Sequence, residues 1–222
     1  MSSQNDLRRT LINGAGIVIS ILLAFGIEAS WDTRSDRLAE EAVLDGIRQE
    51  FEANLIRIDE LLAQHGGADA ELMAFFSAPI PESEPAAQSV VGDLVAGLLV
   101  GDLLDPSTGT LEMLLNSGRL DLVSDPELQA LLWLWKTEVE DLEDEMTGMQ
   151  ENVRDNRQLL GRLGARGINA ELRPAWREQF RRLRASQELS NQARTVLVGR
   201  RIYQTELMTL RATTELVLAR ID

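Results

Sequence analysis

The chain has no cysteine, one histidine, one tyrosine and a single lysine, Lys136, among its 222 residues. Each shortage removes some chemistry. Without cysteine there is no thiolate metal cluster, and the absence suits either side of a membrane. His65, standing alone, makes a poor metal site and restricts the choice of a general base. No HExxH, GxSxG or P-loop pattern occurs. Gly14-Ala15-Gly16 starts like a dinucleotide fingerprint, but Ile19 takes the place of the third glycine and no strand precedes it. Carboxylate pairs are the one acid–base arrangement left open. No catalytic, cofactor-binding or metal residues are assigned, and the expectation is a protein that is not an enzyme.

Long uncharged runs are scarce as well. The only one is Leu11 to Ile27 (LINGAGIVISILLAFGI), 17 residues long, preceded by Arg8-Arg9 and followed by Trp31. That length is at the short end of what spans a bilayer core. The chain continues as EASWDTRSD without proline or glycine, so a helix can run straight out of a membrane. An uncleaved signal-anchor fits best, with Trp31 as the interfacial anchor. Three other readings compete: a cleaved secretory signal ending near Ala24-Phe25-Gly26, a twin-arginine export signal, and a core helix of a soluble protein. Gly16, Ser20 and Ala24 recur every four residues and line one stripe, a face on which two membrane helices pack closely. Arg8 and Arg9 bias the short tail slightly to the inside and the remaining chain to the outside.

The expected organisation is a tail over 1–10, a transmembrane helix over 11–30 and a helical extramembrane domain over 31–222. The net charge of −14 is uneven. Residues 1–153 hold 8 basic and 29 acidic side chains, whereas residues 154–222 hold 14 arginines and 7 acids. Aromatic side chains that could stack on bases are sparse in the basic part, so nucleic acid is not expected as a partner. An acidic and a basic helix packed side by side explain the asymmetry better.

Helical periodicity dominates the rest. Asp36 to Gln64 reads as a long helix with Leu38, Leu44, Ile47, Phe51, Leu55, Ile58 and Leu62 on one face. His65 and Gly66 are expected to close it. Glu71 to Ser77 allows two further turns, Ala78 to Gln88 is a proline-rich loop, and Ser89 to Val100 is best read as a buried helix, with a strand as the alternative. Ser107 to Asn116 is a short helix stopped by Gly118. Ser124-Asp125-Pro126-Glu127 is a capping box that opens a heptad seam from Leu128 to Leu163, with Asn156 as its polar, register-setting position. After a turn at 164–174, one helix from Ala175 to Ile221 carries a second seam, in which Arg200 and Thr214 are polar. The acidic run Glu138 to Glu145 reads as a solvated face. Arg173, Arg177, Arg181, Arg182 and Arg184 form a basic contact patch, for the acidic helix or for an anionic partner. The fold class expected is all-α: a transmembrane helix continuing into an antiparallel bundle of long helices.

Three segments carry a family resemblance: ISILLAFGIEASWDTR, IRQEFEANLIRIDELL and TGTLEMLLNSGRLDLVSDPELQALLWLW. Over roughly residues 10–165 the chain resembles a widespread bacterial family of small single-span membrane proteins, with LLNSGRLDLVSDPEL the most specific part. The resemblance implies a bacterial inner-membrane protein with a helical extramembrane domain, and brings no activity or ligand. The leading expectation is a scaffold or assembly component, bound to the lipid bilayer and to copies of itself or another membrane protein. The alternative is a ligand-binding sensor bundle that signals through a partner.

Overall fold

A computed structural model describes the backbone of residues 3–165 and 176–221, and the side chains of 31, 34–165 and 176–221. Among the described residues the chain is all-helical. The helices are α1 (Ser3–Ser77), α2 (Glu84–Leu99), α3 (Gly109–Ser117), α4 (Pro126–Leu163), α5 (Trp176–Ala185) and α6 (Gln187–Ile221), with a 3-10 turn at Leu120–Leu122. No helix among the described residues is long and apolar enough to cross a membrane. Leu11 to Ile27 lies outside the residues whose side chains are described, as do Gly16, Ser20 and Ala24.

Helix α1 runs through the point where the sequence suggests a stop. Val43, Ile47, Phe51, Asn54, Ile58, Leu61, His65, Ala68, Leu72 and Phe75 are buried at steps of three and four without a break. Gly66 and Gly67 fall on the exposed side of this stripe, so the core-facing pattern passes over them. The cost of two glycines in a helix, about 1 kcal/mol each relative to alanine, is offset by the apolar face on either side. Leu38, counted on that face from the sequence, is exposed because the bundle begins only at Val43.

Three more boundaries differ from the sequence reading. Ser124 is not the cap of α4. The Asp125 carboxylate accepts from the Glu127 N–H at 2.9 Å, with Pro126 directly behind it in the first turn. The last helix is broken at Ser186, whose hydroxyl accepts from the Leu189 N–H and so caps α6. The proline-rich loop is shorter than expected, because Ser83 caps α2 and Pro85 sits in its first turn. Gly118, with φ 67°, closes α3 as anticipated.

Cross-helix pairs give the topology. Asp59 meets Arg211 and Asp69 meets Arg200, so α1 and α6 are antiparallel. Trp135 bonds Thr214 and Arg162 pairs with Glu188, so α4 and α6 are antiparallel too. Helix α6 thus lies between two parallel long helices. Helix α2 crosses α1 at Gly97, where an added Cβ would stand 3.0 Å from the Ala68 carbonyl oxygen. The core forms two apolar clusters. One joins Phe51, Ile58, Trp135, Leu142 and Leu207; the other joins Phe75, Leu94, Leu160, Phe180 and Leu189.

Nothing lies within 4 Å of an added Cβ at Gly66 or Gly67. The double substitution Gly66→Ala/Gly67→Ala should therefore raise stability by about 1–2 kcal/mol in denaturant unfolding. A loss of stability would mean that the two glycines end a helix after all.

Candidate functional site

The most unusual part of the structure lies between the two apolar clusters. There each long helix places a polar residue on its own seam: His65 and Asp69 on α1, Asn156 on α4, and Arg200 with Tyr203 on α6. All of these except Asp69 are buried.

Arg200 is the centre of this layer. Its side chain is 1% exposed, and Nη1 donates to the Asp69 carboxylate at 2.7 Å. Nη2 donates to the carbonyl oxygen of Gly97, in the last turn of α2. Burial lowers the guanidinium pKa, and Asp69 opposes the shift. Gln204 donates to the other Asp69 oxygen at 3.2 Å. Asn156 Nδ2 donates to the next carbonyl, Leu98, at 2.8 Å. A helix leaves its last four carbonyls without partners. Those of α2 at Gly97 and Leu98 are thus taken by two side chains from different helices. A cation at this end also suits the helix dipole.

On the other side of Arg200, His65 Nε2 donates to the Asp102 carbonyl at 2.9 Å, and Tyr203 Oη accepts from the Leu104 N–H at 2.8 Å. The two rings meet edge to face, with centroids 5.3 Å apart. His65 therefore ties down the loop after α2. It does not act as a C-terminal charge for α1, as the sequence suggested, because α1 continues past it. A carbonyl only accepts, so Nε2 carries a proton, while Nδ1 is buried without a partner, which suits the neutral ring. Burial lowers the imidazole pKa below the ordinary 6.5; Arg200 adds to this, while the Asp102 carbonyl, Asp69 and the Asp102 carboxylate oppose it.

Helix α1 holds the same segment at three further points. Asn54 bonds both the N–H and the carbonyl of Ser107, each at 2.8 Å. Glu50 accepts from the Thr110 and Leu111 N–H groups at the start of α3, and Glu40 accepts from the Ser124 N–H at 2.7 Å. Sequence reasoning missed these roles. Asn54 and His65 occupy every-three-or-four core positions, and that position is the signal that could have found them.

The other residues singled out from the sequence are separated. Asn156 reaches the layer just described. Trp31 is 72% exposed on α1. Arg173 lies outside the described residues. Arg184 donates to the Phe76 carbonyl at the end of α1, and Arg177 stacks on Trp176 and donates to the Glu82 carbonyl. Arg181 and Arg182 are exposed. None of the four pairs with Glu138 to Glu145 among the described residues, because α5 sits at the opposite end of α4. Within that acidic run Glu138 is half-buried, accepts from Thr213 and has a pKa raised by burial. Glu140 pairs with Lys136. Among the described residues no group of three or more histidine, aspartate or glutamate side chains is arranged for a metal ion. The His65 ring bonds a backbone carbonyl, not a carboxylate.

Fold and site together give an all-α bundle whose buried polar layer bonds chiefly to backbone among the described residues. No protein-family model matches the chain, and neither a curated protein nor a solved structure does so.

Two measurements check this assignment. Asp69→Ala leaves a buried guanidinium without its counter-ion and should cost about 3–5 kcal/mol. Arg200→Met should cost less, because Asp69 is 18% exposed and can turn to water. The double variant should recover part of the Asp69→Ala loss, and strict additivity would deny the coupling. Titration of His65 gives the second check. The folded pKa is below the unfolded 6.5, so its contribution is complete above about pH 6.5 and is lost as pH falls through the folded value. Wild type should lose more stability than His65→Gln on going from about pH 7 to pH 5.5. Equal losses would mean that the histidine is not buried and neutral.

Proposed function

We propose that the chain is a membrane-anchored, non-enzymatic scaffold or assembly component, acting through contacts with copies of itself or with another membrane protein. In this reading residues 11–30 cross a bacterial inner membrane once as an uncleaved anchor, and the bundle stands on the periplasmic side. The observation that carries it is the continuity of α1 from Ser3 to Ser77. A single helix takes in both the uncharged run Leu11 to Ile27 and the seam around which the bundle packs.

Along α1, Trp31 and Leu38 between the run and the bundle, and Ile56 within the bundle, form an exposed apolar face among the described residues. Trp31 is 72% exposed, Leu38 59% and Ile56 62%. Ala24, Trp31 and Leu38 follow one another at intervals of seven, and Ile56 lies about five turns beyond Leu38. Gly16, Ser20 and Ala24 continue the same stripe towards the N-terminus. A face of small residues leading into exposed apolar ones suits helix-to-helix association. The resemblance of residues 10–165 to single-span proteins supports the same reading.

The test is the mass of the full-length protein in mild detergent, beside that of a chain starting near Ser35 and a Gly16→Leu/Ala24→Leu variant. An oligomer that the truncation and the double substitution both weaken at least tenfold is expected. A monomeric full-length protein would reject self-assembly. Release of full-length protein from membranes by alkaline carbonate would reject the anchor. A copurifying small molecule would favour the ligand-binding reading instead.

A further inference from the structure

Within the polar layer three buried atoms have no hydrogen-bond partner: His65 Nδ1, Arg200 Nε and Asn156 Oδ1. The last two, a donor and an acceptor, share a cavity, which lies between the end of α2, the middle of α4 and the middle of α6. Its volume is about 10 Å³. Leu98, Met149 and Val196 form apolar walls, and the Asn152 amide supplies a third polar group.

An unpaired N–H on a buried charged group costs free energy, more than for a neutral donor. Neither orphan can be relieved by turning its side chain. Arg200 is held at both Nη atoms, by Asp69 and Gly97, and the Asn156 amide is fixed by its bond to the Leu98 carbonyl. What is missing is a group that accepts from Nε–H and donates to Oδ1. A water molecule does both and needs a cavity of roughly 10–15 Å³ with two or more polar partners.

We infer that this cavity is a built hydration site holding one water, which accepts from Arg200 Nε and donates to Asn156 Oδ1. Asn152 is within the lining to take its second proton or offer another. The water completes the coordination of Arg200: Asp69 from α1, a carbonyl from α2, and, through the water, Asn156 from α4. Helices α1, α2, α4 and α6 are then joined at one guanidinium. The cavity has no room for an organic molecule, so this is a structural water and not a ligand subsite.

A crystal structure of the full-length protein, at a resolution that shows ordered waters, tests the inference. One density peak within hydrogen-bond reach of both atoms is expected. Asn156→Leu removes the acceptor and fills the space with methyl groups, so the peak should vanish there while the helices keep their places. An empty cavity, a direct Arg200 Nε–Asn156 Oδ1 bond, or density too large for water would overturn it. If Asn156→Leu fails to fold, wild type alone decides through a second readout. With arginine nitrogens labelled, the Arg200 Nε–H should show cross-relaxation with bound water, and its absence would overturn the inference.

Discussion

A positive charge sealed inside the bundle constrains everything around it. Removing a guanidinium from water costs several kcal/mol unless a counter-ion and hydrogen bonds replace the lost solvation. For Arg200 those replacements come from α1 and from the end of α2, and they are available at one register only. Sliding α6 by a heptad along α1 would carry Arg200 into one of the two apolar clusters and leave Asp69 facing leucine. The apolar seams alone would tolerate such a slip, since one leucine-rich stretch packs much like the next. The polar layer supplies the discrimination that the seams lack.

The segment between α2 and α4 follows a different logic. Outside α3 and the 3-10 turn it is irregular, so many of its backbone groups need partners from elsewhere. Glu40, Glu50, Asn54 and His65 provide them from a single flank of α1. Tyr203 adds one from α6. The straight helix acts as a template, and the irregular segment takes its path from side chains spaced along it. Packing then finishes the work, with Leu104, Leu111 and Val123 turned into the lower core.

Much of this architecture was legible in the residues, and for a clear reason. Runs of apolar residues at three-and-four spacing specify long helices and their inner faces with little ambiguity, so the seams of α4 and α6 emerged with their polar members Asn156, Arg200 and Thr214. Terminal signals were less reliable. Gly66-Gly67 imitates a stop, but its meaning depends on whether apolar periodicity resumes beyond it, as it does at Ala68, Leu72 and Phe75. Asp125 outcompetes Ser124 as a cap because its carboxylate is the stronger acceptor and proline follows it directly. The partners of the polar seam residues were not legible at all. That Asn156 and Arg200 meet at the last turn of α2 depends on how three helices cross, and no local pattern encodes a crossing. The basic patch failed as a unit for the same reason: charge clustering along the chain does not say that Arg184 caps α1 while Arg181 stays in solvent.

An uninterrupted α1 also has mechanical consequences. From Trp31 to Ser77 the helix extends about 70 Å at 1.5 Å per residue, and no glycine-rich or proline-rich joint separates its exposed lower part from the bundle built on its upper part. It behaves as a lever arm with the bundle clamped to it. Tilting the lower end by about 10° would sweep the far end through about 12 Å at this length. A twist of the lower end would turn every face of the bundle by the same angle. Arg181 and Arg182, near the far end of this arm, therefore follow in height and bearing any tilt or twist of α1 below Val43.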